Sequence, residues 1–467
     1  MQESKQSDLQ NSQQSVAPKS WLDIFARWME RLVPDAVTTS ILLMLILVAT
    51  ALGLGHPLGE TVDAYYRGLW MLLAFTMQMT LILVLALVIA ATPFFRRIIV
   101  GLSRLPTTAT GVVVLASLCI AVIAYINWGL GLALGPMIAI HFAKQAEAKG
   151  LPVDFLFLQA TLAGAGSVWQ FGLSASAPLL MATPGHFLEG TTGIMPLAST
   201  IWSPAALVHV PLFLAITMIV GCMLMPKNIR RLSEFPASEE LAGAPVGHEA
   251  APAAPAGGRS LAQWLEHSPL VVVPLVVALV AWLWHHFFVK DLALDINTMN
   301  TIFLLGCFVL HRNVFRFTKA LQQAIGAAWP IVVMYHLYAG VAGLIQFTPV
   351  GEFLVTLVDP ISTPYTFPLL TAIISTVVAV FIPTSGGQWL IQGFVTVNAA
   401  EAVGATAQRG LLALSIGDHM GNLISPFWAV VGANIARIDF RLFFGYRLIF
   451  AVIWFTVGVL VFTFLPC

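Results

Sequence analysis

Charged residues are spaced widely along the chain, and the apolar runs between them set out the elements. A helix crossing a bilayer needs about 20 apolar residues at 1.5 Å rise each. Residues 36–55, 68–93, 204–225, 269–289, 298–310, 322–347 and 448–466 each suit one crossing. Residues 155–182 and 410–436 are long enough to cross but are interrupted by Gly, Ser and Pro. Residues 105–143 and 360–400 carry no charge and are roughly twice as long as one span. Each has a helix-breaking centre, Asn127-Trp128-Gly129-Leu130-Gly131 in the first and Pro383-Thr384-Ser385-Gly386-Gly387 in the second. These two runs are predicted to be helical hairpins whose uncharged tips stop at membrane depth, where irregular backbone is tolerated only beside a cavity or inside protein.

The pattern divides the chain into five parts. Residues 1–35 begin with a Gln- and Ser-rich stretch that has no apolar core, read as a disordered tail. Trp21, Leu22, Phe25, Trp28, Met29 and Leu32 follow at helical spacing, either as an interfacial helix or as a lead-in to the first span. Residues 36–226 form a first transmembrane repeat: span, span, hairpin, interrupted span, span. Residues 227–268 are hydrophilic and rich in Ala, Pro and Gly, which predicts a flexible loop. Residues 269–297 hold a linking span, and residues 298–467 repeat the first order. The odd number of crossings between the repeats inverts the second against the first. The expected fold class is therefore an all-α polytopic membrane protein with two inverted repeats, each holding a hairpin and a broken helix, the plan of secondary transporters.

Composition agrees with the bilayer as solvent. Apolar residues make up 58% of the chain and charged residues 9%, with a mean hydropathy of +0.87. Soluble domains carry roughly 25% charge. Zero net charge points to no nucleic-acid partner. Cys119, Cys222, Cys307 and Cys467 show neither metal-ligand nor disulfide spacing and read as packing residues. No nucleophile elbow, zinc-protease motif or P-loop is present, which argues against an enzyme. With the N-terminus and the 227–268 loop in the cytoplasm, 19 of the 22 basic residues fall on the cytoplasmic side. Arg67, Lys290 and Arg409 fall outside, together with the C-terminus. That asymmetry is the positive-inside rule.

Interruptions at membrane depth expose backbone groups that a ligand can satisfy. The first broken span is expected to open over Gly164, Gly166, Ser167, Gly172, Ser174 and Ser176, with Pro178 restarting the helix. The second is expected to open over Gly417, Asp418, His419, Gly421 and Asn422, with Ser425-Pro426 restarting it. Ser then Pro is a favourable N-cap and N1 pair, and a helix starting at the midplane turns its positive end toward an anion. Candidate substrate contacts are therefore Asn127, Trp128, Gly129, Ser174, Ser176, Thr384, Ser385, Gly386, Gly387, Gln388, Asn422 and Ser425. Trp169, Trp389, Phe427 and Trp428 are candidates for an apolar pocket. Asp418 is the one carboxylate inside a span. It either carries a proton, with His419 beside it, or caps a half-helix. The hairpin tips offer carbonyls and hydroxyls to Na+ as the other coupling route. His209 and His336 read as packing or interfacial residues. No basic residue lies at any of these elements, which favours a singly charged anion. No cofactor is implied beyond a coupling Na+ or H+.

At these motifs the chain resembles the bacterial short-chain fatty acid transporters of the AtoE type. The strings are Ile126-Asn127-Trp128-Gly129 with Gly131 and Gly135, and Leu73-Ala74-Phe75-Thr76-Met77-Gln78-Met79. Pro383-Thr384-Ser385-Gly386-Gly387-Gln388-Trp389-Leu390-Ile391-Gln392-Gly393 and Ser425-Pro426-Phe427-Trp428-Ala429 complete them. The resemblance covers residues 21–465 and extends to the ion-transporter superfamily. It implies a short monocarboxylate substrate such as butyrate or acetoacetate and a bacterial inner-membrane location. It also implies a moving transport domain on a scaffold, elevator-like, in a homodimer surrounded by lipid. A carrier of dicarboxylates or larger organic anions, or a channel, is the alternative.

Overall fold

A computed structural model describes residues 36–243, 260–358 and 362–466. The expected tail and interfacial helix over 1–35 lie outside these residues, as does the centre of the hydrophilic loop. The described residues are helical, with no strand among them. The first half runs α1 (Ala36–Gly53), α2 (Leu58–Met71), α3 (Leu73–Ala90), α4 (Pro93–Ser103), then the hairpin α5 (Ala109–Ile126) and α6 (Trp128–Ala148). It continues with the broken pair α7 (Phe155–Gly166) and α8 (Ser176–Met181), and ends with α9 (Pro204–Met223). Short helices α10 (Pro236–Gly243) and α11 (Leu261–His267) lead to α12 (Val273–Trp284). The second half repeats the order. It runs α13 (Ile296–His311), α14 (Val314–Ala324), α15 (Trp329–Phe347) and α16 (Val350–Val358). Its hairpin is α17 (Phe367–Phe381) and α18 (Ser385–Ala402), its broken pair α19 (Ala407–Ile424) and α20 (Pro426–Ala436), and its last helix α21 (Arg441–Phe464).

Among the described residues six helical stretches are long and apolar enough to cross a membrane: 58–90, 109–126, 204–223, 269–289, 314–347 and 441–464. Local chemistry sets their starts. The Thr108 side chain accepts from the Gly111 N–H, Asp154 from Phe157, Ser203 from Ala206 and Asp295 from Thr298. Each satisfies one of the free N–H groups of a first turn.

Three boundaries differ from the hydropathy reading. The second run starts at Leu58 and breaks at Leu72, so Arg67 lies within a helix, its guanidinium 4.2 Å from the Phe347 ring centroid. That contact lets the charge sit on an apolar face. The 322–347 run begins earlier, at Val314, because the amphipathic α14 feeds into it. The start of the 227–268 loop is helical and held down rather than a free coil. Leu232 is 1% exposed, and the Phe235 ring lies 5.5 Å from that of Phe155. Arg230 donates to both oxygens of the Asp154 carboxylate, at 2.8 and 2.9 Å. Two apolar side chains and one forked ion pair are enough to order this piece, whatever the composition of the tract after it.

Small residues set the closest helix crossings. A Cβ at Gly68 would lie 2.7 Å from the Gly343 Cα, so α2 and α15 meet backbone to backbone, as small residues permit between membrane helices.

Candidate functional site

The two hairpin tips and the two helix breaks meet at one level. At the first tip Asn127 adopts extended backbone, and its Oδ1 accepts from the N–H groups of Gly129 (2.8 Å) and Leu130 (3.1 Å). The Trp128 N–H donates to Ser174 Oγ in the first break at 2.9 Å. At the second tip Thr384 caps α18, its Oγ1 accepting from the Gly387 N–H at 2.9 Å. At the second break Ser425 caps α20, accepting from Phe427, with Pro426 at the first helical position, as the Ser-Pro pair predicts. The ring closes across the halves. Trp428 Nε1 donates to the Pro383 carbonyl at 2.8 Å, and the Trp128 and Trp428 rings meet edge-on at 6.5 Å.

A cavity of roughly 700 Å³ opens inside this ring, and its surface is mostly apolar. Its wall includes first-turn residues of α6, α8, α18 and α20, namely Trp128, Ser176, Ser385 and Trp428, beside residues of α5, α7, α15 and α19. The longer helices α6, α18 and α20 thus each begin at the cavity, and a helix start favours negative charge.

Of the residues read from sequence, Trp128, Ser176, Thr384, Ser385, His419 and Asn422 line the cavity. The others stand behind it. Asn127 and Ser425 are caps, and Ser174 holds the first tip. Gly129 packs against Ala86 and Leu83. Gly386 and Gly387 let α18 approach Tyr335 and Tyr338. Gln388 donates to the Ser375 carbonyl (2.8 Å) and to Gln392 (2.6 Å). Trp169, Phe427 and Trp428 line the cavity, whereas Trp389 is fully buried in the packing behind it.

The expected break over Gly417–Asn422 is absent. α19 is continuous from Ala407 to Ile424, and its glycines serve packing. A Cβ at Gly417 would collide with the Ala372 carbonyl of α17, and one at Gly421 with Ala379 and the Thr376 carbonyl. Asp418 therefore caps nothing. It is fully buried, and its Oδ2 accepts from Gln170 Nε2 (2.8 Å), its Oδ1 from Asn422 Nδ2 (3.1 Å). His419 makes ring contacts with Trp169 (5.4 Å) and Trp454 (4.8 Å), and neither ring nitrogen has a hydrogen-bond partner.

Two polar residues escaped the sequence reading. Gln170 lies in the 3-10 turn between α7 and α8 and bonds Asp418, the Ser415 carbonyl (3.2 Å) and Ser385 Oγ (3.2 Å), tying the first break to the second half. Its one sequence signal was a polar residue inside an apolar interruption. Hydropathy starts the last apolar run at 448 and so leaves Arg447 outside it. It lies instead on the second turn of α21, is 5% exposed and lines the cavity. The expectation of no basic residue at the site is corrected accordingly.

Residues 22–465 match the profile of the family described as short chain fatty acid transporter. The chain belongs to the short chain fatty acid transporter family. Family membership makes it a membrane transporter of that type, and the match spans both tips, both breaks and Arg447. Two relatives, from Haemophilus influenzae and Escherichia coli K12, are provisionally named short-chain fatty acid transporters. The first is 29% identical over 92% of this chain and 97% of its own length. The second is 28% identical over 93% and 98%. In fold, this member of the short chain fatty acid transporter family is similar to the YdaH transporter of Alcanivorax borkumensis. The TM-score is 0.54 at 13% identity, covering 92% of this chain and 98% of that one. It is also similar to MtrF of Neisseria gonorrhoeae, described with a class of antimetabolite efflux pumps. There the TM-score is 0.56 at 13% identity, covering 95% and 97%. At that identity the likeness concerns the fold.

Proposed function

We propose that the protein carries short monocarboxylates, such as butyrate or acetoacetate, across a bacterial inner membrane together with a cation. The observation that supports this most is the cavity where both tips and both breaks meet in a chain of this family. Its mostly apolar wall suits a short alkyl tail, and the starts of α6, α18 and α20 suit one carboxylate. The repeated element order favours two inverted repeats, 36–226 and 298–467, joined through the 227–268 loop and a linking span at 269–297. The hairpins and broken pairs would move as one body against the other helices, in a homodimer. The cation is either a proton on Asp418 or Na+ at the tip carbonyls.

The side of access follows from the same reading. The cavity reaches Trp329 at the start of α15 and Asn434 near the end of α20. α20 ends beside the 227–268 loop, where Ser238 Oγ donates to the Ala436 carbonyl and Arg437 pairs with Glu240. With that loop in the cytoplasm, substrate would reach the cavity from the inside. The volume also admits a larger organic anion, so a dicarboxylate competitor belongs in the assay.

Two measurements test these statements. Proteoliposomes containing the protein should take up labelled butyrate or acetoacetate when a Na+ or a pH gradient is imposed, and saturably. Uptake that is linear in concentration, or absent under both gradients, overturns the carrier. In a cysteine-free background, an impermeant thiol reagent on intact cells should label Glu401→Cys and spare Ser260→Cys, both exposed positions. The reverse pattern would invert the topology.

A further inference from the structure

We infer that Arg447 is the anchor for the substrate carboxylate. The inference rests on the reading that the cavity holds a carboxylate, and it names the group that grips it. A guanidinium stays charged at any physiological pH, so burying one without a counter-ion is strongly unfavourable. Arg447 is in that position. Its side chain is buried on the cavity wall, its Nε has no hydrogen-bond partner, and no ion pair to it exists among the described residues. Its one hydrogen bond among the described residues is a long one, from Nη2 to the Asn422 carbonyl at 3.5 Å. Asp418, the buried carboxylate on α19, is engaged by Gln170 and Asn422 instead. The site is therefore short of one anion.

A carboxylate matches the paired donors of a guanidinium in geometry as well as in charge. Ordinary structural arginines look different. Arg230 in this same chain lies against both oxygens of Asp154 and also donates to the Tyr446 hydroxyl, the residue next to Arg447. Tyr446 thus helps to hold a paired arginine, while Arg447, the next residue of α21, lies on the cavity wall. Asn422, whose Oδ1 has no partner, lines the same cavity, as does Trp169, whose ring lies 5.4 Å from that of His419. With a head group on Arg447, the short tail would share the cavity with the indoles of Trp128, Trp169 and Trp428. Asn422 touches both Arg447, through its carbonyl, and Asp418, through its side chain. Substrate occupancy and the state of Asp418 would then share one residue.

The test uses the full-length protein in proteoliposomes, with labelled butyrate as substrate and unlabelled butyrate or the neutral isostere butyramide as competitor. Wild-type protein should be inhibited by the acid and ignore the amide. Arg447→Gln should raise KM by about ten- to a hundredfold, as loss of a hydrogen bond to a charged group does, and should lose the preference for acid over amide. A purely structural role would lower the amount of folded protein or the maximal rate and leave that preference intact. Arg447→Lys keeps the charge without the fork. It should show a severalfold higher KM with the preference retained, and it carries the test if the Gln variant does not elute as a single folded species. Wild-type KM and acid preference in Arg447→Gln, or an unchanged KM in Arg447→Lys, overturn the assignment alone. Wild-type protein that transports no monocarboxylate overturns the proposed function and this inference with it.

Discussion

Asp418→Asn protein is expected to exchange labelled substrate across a membrane at near wild-type rate, yet fail to accumulate it on an imposed pH gradient. This follows from the hypothesis that Asp418 binds and releases one proton per transport cycle. Asp418 is fully buried and is held by two amides, Gln170 and Asn422. Its replacement by Asn keeps size and one acceptor but replaces the other oxygen with a donor. The surroundings can accept that change. Asn422 Oδ1 has no partner, so turning that amide over supplies the missing acceptor. Turning Gln170 over would be more disruptive, because its Nε2 also serves Ser385 and the Ser415 carbonyl. Folding should therefore survive, and only titration is removed. Accumulation of substrate by Asp418→Asn on a pH gradient equal to wild type would end the proton hypothesis for this residue. Accumulation by wild-type protein on a Na+ gradient alone would move attention to the tip carbonyls.

The second large effect is predicted at Gly417, where the consequence falls on the fold. Gly417→Val should give little monodisperse protein, and Gly417→Ala should unfold at a clearly lower temperature. A Cβ there would collide with the Ala372 carbonyl and lie 2.7 Å from the Ser375 Cβ, both on α17. Backbone cannot rotate away as a side chain tip can, so the helices must separate. Overpacking of this kind costs about 1–3 kcal/mol and sometimes more. Separation would also displace Ser415 and Asp418, on the same turn of α19, from Gln170. Size-exclusion traces after graded heating give the readout. A Gly417→Val protein with wild-type heat resistance would show that α17 and α19 do not pack as described.

Much of this was legible along the chain. Asn127 and Thr384 mark the two tips because a capping side chain after a long apolar run is a local signal, complete within four residues. Ser425-Pro426 marks a helix start for the same reason. Gly417 and Gly421 misled because glycine has two uses, opening a helix and letting another helix come close. The sequence near 417 looks the same in both cases. What separates them is α17, about forty residues away in the chain and in contact in space.

The sequence alone determined that the chain lives in a bilayer, that it repeats its order of elements, and where the hairpins turn. Each of these follows from run length, charge spacing and caps, which are properties of neighbouring residues. Only the tertiary structure decided which polar groups meet. Gln170 reaches Asp418 across 248 positions, and Arg447 joins the cavity because α21 packs along α19 with that face inward. In hydropathy, an arginine at the end of an apolar run reads the same whether it points to water or to a buried cavity. The direction of its side chain is set by the helix packed against it, and no local pattern encodes that neighbour.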